Sequence, residues 1–222
     1  MNQMIETINI YDTKQFPTFY NLPNHISILN SRGARRTNLN WCFVCEVVFI
    51  ETTANYHTEV TVKDLMGRFG KVVFSCPYGR TAIFDRSRIQ IGSTIFALSA
   101  TMRDLNGGGK GIWVEQAKMI KILPRSLADI ARIANEMRVF TSKAHGGIPC
   151  YECGYFPQFL TPCPQCQAVY FCHGGCPPWA HIIHIHDCRV LADKGVVALL
   201  RGDWDSLRRF QDFSFALGWT GV

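Results

Sequence analysis

No apolar run in this chain approaches the about 18 residues that a membrane-spanning helix needs, so no membrane partner is expected. The start, Met1-Asn-Gln-Met-Ile-Glu6, lacks both a basic n-region and an apolar stretch, and no secretory signal is expected. Internal repeats and low-complexity tracts are missing as well. Neither a Gly-x-Ser-x-Gly nucleophile motif nor a metalloprotease His-Glu-x-x-His helix occurs. The expectation is therefore a protein that is not an enzyme, without catalytic residues or a small-molecule substrate. Charged residues make up only 18% of the chain against 47% hydrophobic, which excludes the disordered class and describes a globular one.

Cysteine is what the chain has in quantity, ten in 222 residues, and seven of them fall between Cys150 and Cys188. The pairs read Cys150-x2-Cys153, Cys163-x2-Cys166, Cys172-x3-Cys176 and His184-x3-Cys188. Eight soft ligands divide into two sets of four, which is what two tetrahedral Zn²⁺ ions require. A pair at x2 spacing aims both sulfurs of a tight turn at one ion, and His184 and Cys188, at i and i+4, share a helix face. His181 stands about two helical turns before Cys188 and is the substitute for His184; His173 and His186 are expected to face solvent or to support the ligands. Without a signal peptide, this spacing implies reduced thiols in the cytoplasm or nucleus in place of disulfides. Eight ligands for two ions leave no open coordination position, so both zincs are expected to be structural.

Ahead of the cysteines lies a β-rich stretch. Trp41–Ile50, Glu59–Asp64, Lys71–Cys76, Ser93–Thr101 and Ile112–Leu123 are five runs of β-branched and aromatic residues, the last stopped by Pro124. Cys42 and Cys45, three apart on a strand, point to opposite faces and are expected to be buried core thiols; Cys76 is expected to pack at a strand end. Gly107-Gly-Gly-Lys-Gly111 lacks the Ser or Thr of a phosphate loop and reads as a hairpin turn. The order and spacing of the five strands resemble an OB fold, a partly open five-stranded Greek-key barrel, over residues 41–124; another small β-barrel or meander is the alternative. The net charge of +6 lies entirely within residues 1–125, while residues 126–222 are neutral. An OB fold binds single strands with cations and aromatic faces. The resemblance thus makes Tyr56, His57, Lys63, Arg68, Phe69, Lys71, Arg103, Lys110 and Trp113 candidates for single-stranded nucleic-acid binding.

The run Cys-x2-Cys, Cys-x2-Cys, aromatic-Cys-x3-Cys, x7-His-x3-Cys, with Phe171 as the aromatic, resembles a MYND-type zinc finger and fits a RING finger less well. The resemblance implies an interleaved cross-brace, with Cys150, Cys153, Cys172 and Cys176 on one zinc and Cys163, Cys166, His184 and Cys188 on the other. It also implies a groove for proline-containing peptides, although Pro177 and His181 stand where the family has Gln and Trp, and the nearby tryptophan is Trp179. The organisation expected is α+β. It comprises an N-terminal extension (1–40), an OB-like barrel (41–124), a connecting helix and hinge (125–149) capped by Ser126, the finger (150–188) and C-terminal helices (189–222). The function expected is a zinc-binding adaptor that contacts proteins in a nuclear or cytoplasmic regulatory complex, with single-stranded nucleic-acid binding through the barrel as the alternative.

Overall fold

The computed structural model describes residues 9–26, 41–52, 57–75, 88–105, 108–114, 119–141, 147–172 and 181–209. They fall into two compact units, 11–130 and 131–209 with residues 9–10.

The first unit is built on a mixed seven-stranded sheet, in the order β5-β6-β3-β2-β1-β4-β7. Its strands are β1 (Cys42–Thr52), β2 (His57–Asp64), β3 (Phe69–Ser75), β4 (Thr94–Leu98), β5 (Met102–Asp104), β6 (Lys110–Val114) and β7 (Ile120–Leu123). All neighbours are antiparallel except β3 and β6. Period-two alternation sends Phe43, Cys45 and Val47 of β1, Val60 and Val62 of β2, and Val72 and Phe74 of β3 into one core. A register shift between Val47 and Phe49 breaks the alternation, bends β1, and leaves Phe49 exposed. β1 therefore serves two partners, pairing with β4 over Cys42–Glu46 and with β2 from Cys45 onward.

As hydrogen-bonded, the sheet is an open row with β5 and β7 at its ends, and a closed five-stranded barrel is not found among the described residues. The fourth expected strand, Ser93–Thr101, is shortened to β4 because Ser99 takes a left-handed φ of 51°, and β5 begins only at Met102, beyond that run. The fifth divides into β6 and β7, which join different partners. Between β5 and β6 the chain reverses at Gly108 and Gly109, whose φ of 86° and 83° suits glycine, as the hairpin reading expects. Cys42 and Cys45 are both buried on β1, and burial pushes both thiols well above the ordinary range.

Residues 11–26, read from sequence only as an extension, belong to the core of this unit. Phe19 and Leu22 join the apolar cluster. The buried carboxylate of Asp64 accepts the Phe19 N–H at 2.8 Å and the Met66 and Arg68 N–H groups at 2.9 Å. Gly70 is where the Phe19 ring lies against the sheet: a Cβ there would sit 2.1 Å from two ring carbons.

Helix α1 (Leu127–Thr141) starts where Ser126 accepts the Asp129 N–H at 3.1 Å and Glu46 of β1 accepts the Leu127 N–H at 2.8 Å. Leu127, Ile130, Ile133, Ala134 and Met137 form its buried stripe. In the second unit follow the hairpin β8 (Leu160–Pro162) and β9 (Tyr170–Cys172), then α2 (His181–Leu191), α3 (Lys194–Arg201) and α4 (Trp204–Arg209). Asp193 caps α3 by accepting from Gly195 and Val196, and Gly202 ends it in the left-handed conformation. Arg201 donates to the Ala168 carbonyl at 2.8 Å, tying α3 to the hairpin segment. Among the described residues no helix is long and apolar enough to cross a membrane.

Candidate metal centres

Each Cys-x2-Cys pair sits in the same local device. The Gly154 N–H donates to the Cys150 carbonyl at 2.9 Å, and the Gln167 N–H donates to the Cys163 carbonyl at 3.0 Å. The residue after each pair turns left-handed, Gly154 at φ 71° and Gln167 at φ 56°. Both turns curl the backbone so that the two sulfurs of a pair converge. The Cys172 N–H points at the Cys150 sulfur at 3.3 Å, and the Cys163 N–H donates to the Val169 carbonyl at 3.0 Å, which places the β8–β9 hairpin between the two turns.

Two clusters result. Cys163, Cys166, His184 and Cys188 form one, Cys150, Cys153 and Cys172 the other, and within each all ligand atoms lie within 4.8 Å of one another. The pairs alternate along the chain, so the ligand sets interleave. Cys176 lies outside the described residues, as do Pro177, Trp179 and His173. The imidazole comes from His184 on α2, one turn before Cys188, with its Nε2 at 3.2 Å from the Cys163 sulfur and 3.7 Å from that of Cys166. The sulfurs of Cys163 and Cys188 are 3.7 Å apart, those of Cys153 and Cys172 3.8 Å.

These spacings distinguish a metal site from a disulfide. A disulfide brings sulfurs to about 2.05 Å. A tetrahedral ion with metal–sulfur bonds of about 2.3 Å sets sulfurs about 3.8 Å apart and a sulfur about 3.6 Å from a ligating nitrogen. The eight described cysteines are all free thiols. The charges agree with the distances. Burial, then contact with Cys163, pushes Cys188 up to about 12, and burial raises Cys166 as well. Burial also opposes the Cys163 thiolate, but N–H groups of Cys166 and Gln165 directed at its sulfur hold it below the ordinary thiol value. Without a cation Cys166 and Cys188 thus hold their protons; a bound cation would let all three sulfurs ligate as thiolates, and the residues present fit one.

Behind the clusters lies a polar network that has no signature in the sequence. Arg132 of α1 grips Asp187 with two hydrogen bonds, at 2.7 and 2.9 Å, and also reaches Glu136 at 3.0 Å. The Tyr151 hydroxyl donates to Glu136 at 2.8 Å. Arg132 and Glu136 stand at i and i+4 on α1; Asp187 lies 55 residues from Arg132, with no local pattern to link them.

The nucleic-acid candidates are dispersed over the first unit. Tyr56 lies outside the described residues and His57 opens β2. Lys71 is held in its charged form, first by its hydrogen bond to Glu51 at 3.2 Å, and it also meets Glu59 at 3.5 Å. Lys63 lies 4.0 Å from Glu46. Arg68 covers the Tyr20 ring at 5.6 Å. Phe69 is exposed; Arg103 lies on β5, while Lys110 and Trp113 lie on β6. The register places Phe49, Thr61 and Lys71 in one row and Glu46, Lys63 and Phe69 in another, so β1–β3 gather two exposed rings and two lysines. Glu46 in the row of Lys63, and Glu51 and Glu59 in the next row on the same face as that of Lys71, offset those cations.

No protein-family model matches this chain, and no curated protein matches it either.

Proposed function

We propose that the chain is a non-enzymatic zinc-binding adaptor, in which a MYND-type module and an OB-like barrel contact proteins of a nuclear or cytoplasmic regulatory complex. The observation that carries this reading is the interleaving of two thiol-rich clusters at tetrahedral spacing. On the resemblance, Cys176 would be the fourth ligand of the first set, giving four sulfurs for one zinc and three sulfurs with one nitrogen for the other, the donors that structural zinc takes. All coordination positions are then filled by protein, so the metals shape a surface and activate no water.

That surface carries its own signature. Between the first two ligand pairs, Gly154–Pro162 holds no charged residue, and Tyr155 and Phe159 are 76% and 78% exposed, with Phe156 between them exposed too. Aromatic rings in water, clustered on a metal-braced loop, are the composition of a protein-contact site. For the barrel, β4 and β5 are separated by only three residues, so one bent segment pairs with β1 at its start and with β6 at its end. This supports a partly open barrel.

Single-stranded nucleic acid is the second reading, supported by Phe49 and Phe69 beside Lys63 and Lys71. It ranks lower because Glu46, Glu51 and Glu59 neutralise the lysines that phosphates would need. Affinity capture from the protein's own cell extract, with and without nuclease, separates the two. Protein partners that survive nuclease and are lost with Tyr155→Ser plus Phe159→Ser, in a variant that still binds two zincs, support the adaptor. Partners released by nuclease, or an unchanged set with the double variant, overturn it.

A further inference from the structure

His184, the one imidazole in the clusters among the described residues, packs against two rings whose sequence neighbours belong to the other cluster. It meets Tyr151 edge-on at 5.5 Å between centroids and Phe171 at 5.1 Å. Tyr151 directly follows Cys150, and Phe171 directly precedes Cys172. The two rings also meet each other edge-on at 6.4 Å, so three aromatic groups form one packed set with a cluster at either end. Tyr151 is anchored at both ends. Its backbone N–H donates to Tyr170 at 2.8 Å, and its hydroxyl donates to Glu136 and, at 3.4 Å, to Asp187. Asp187 stands next to Cys188, is 2% exposed, and is fixed by the two-bond grip of Arg132.

We propose that Tyr151 is a positioning residue that couples the two metal clusters, so that filling either one raises the affinity of the other. The proposal rests on the reading of both clusters as zinc sites. An imidazole loses rotamer freedom when it ligates, and a ring already packed in the ligating orientation loses less. Metal in the first cluster fixes Cys150 and Cys172, and with them the Tyr151 and Phe171 rings that pack edge-on against His184. The reverse holds equally, because coupling between binding sites is reciprocal.

The test is titration of the full chain with Co²⁺, whose absorption differs between four-sulfur and three-sulfur–one-nitrogen sites, followed by competition with Zn²⁺. In the unmodified chain both signatures should appear, and a three-sulfur–one-nitrogen site whose affinity does not depend on the other cluster overturns the coupling. Cys153→Ser, which removes a ligand of the first cluster, should weaken the Cys163/Cys166/His184/Cys188 site by about fivefold or more. With Tyr151→Leu in place, the same substitution should change that affinity by less than about twofold, whereas Tyr151→Phe, which keeps the ring, should preserve the coupling. An undiminished effect of Cys153→Ser in the Tyr151→Leu background overturns the role of Tyr151 while two metals still bind. A chain that binds one ion, or none, overturns the zinc reading itself.

Discussion

Replacing Gly70 by alanine puts a methyl group where the ring of Phe19 already lies. The added carbon would stand 2.1 Å from Cδ2 and Cε2 of that ring, whereas non-bonded carbons rest at about 3.5–4.0 Å. The ring must retreat by about 1.5 Å, yet its backbone is held by the Asp64 carboxylate through the Phe19 N–H at 2.8 Å. It can therefore leave only by turning out of a site where it is 5% exposed. Truncating a buried Phe altogether costs about 3–5 kcal/mol, and removing a glycine from a strand returns about 0.5–1 kcal/mol. Gly70→Ala should thus destabilise the first unit by about 2–4 kcal/mol. In a Phe19→Ala background the obstacle is gone, and the same substitution should be neutral or stabilise by up to about 1 kcal/mol. Amide exchange of Val60 and Val72, in the middle of β2 and β3, reports the stability of this unit separately from the metal clusters. Effects that add to within about 0.5 kcal/mol would refute the reasoning, because contacting residues must couple.

The ion pair behind the clusters predicts an asymmetry. Arg132→Met strands the buried Asp187 carboxylate and should cost about 2–4 kcal/mol, while Asp187→Asn leaves Arg132 with Glu136 and should cost about 1 kcal/mol; equal losses in denaturant unfolding would count against it. Stripping metal with a strong chelator should abolish amide protection in β9 and α2 and leave that of Val60 and Val72 intact, since structural zinc and folding are linked; protection of Tyr170–Cys172 that persists in metal-free protein would refute structural zinc. The buried thiols of Cys42 and Cys45 have raised pKa values, so above about pH 8.5, where unfolded thiols ionise, the folded state holds more protons than the unfolded one. Stability should then fall with rising pH by up to about 1.4 kcal/mol per unit for each thiol. Cys42→Ala should make the alkaline slope shallower, and an unchanged slope would show that this thiol ionises without cost.

Local features were the most legible from sequence. The His184–Cys188 spacing places both residues one turn apart on α2, and Ser126 stands at the start of α1 because capping depends on a few adjacent residues. The turns at the Cys-x2-Cys pairs are local too, although nothing in the residue type marks Gln167 as left-handed. Strand runs were legible, but their divisions were not: the apolar pattern continues through Ser99 and hides the bend between β4 and β5. Least visible were contacts between distant segments. Phe19 reads as one aromatic in a loop until Gly70, 51 residues on, is seen to make room for it. Tyr151 and Asp187 likewise acquire a role only when α1 brings Arg132 to them.

The alternation of ligand pairs also orders events during synthesis. No contiguous stretch of chain completes either cluster, so Cys150 and Cys153 must wait for Cys172, and Cys163 and Cys166 for His184 and Cys188. At about 5–20 residues per second, about 2–8 seconds separate the emergence of Cys150 and Cys188 from the ribosome. The strands through Leu123 are already outside by then, whereas four or more thiols stand without a metal, open to oxidation or to capture of an ion by the wrong pair. On the proposed zinc reading, the yield of correctly loaded protein then depends on the reducing power and free zinc around the nascent chain in that interval.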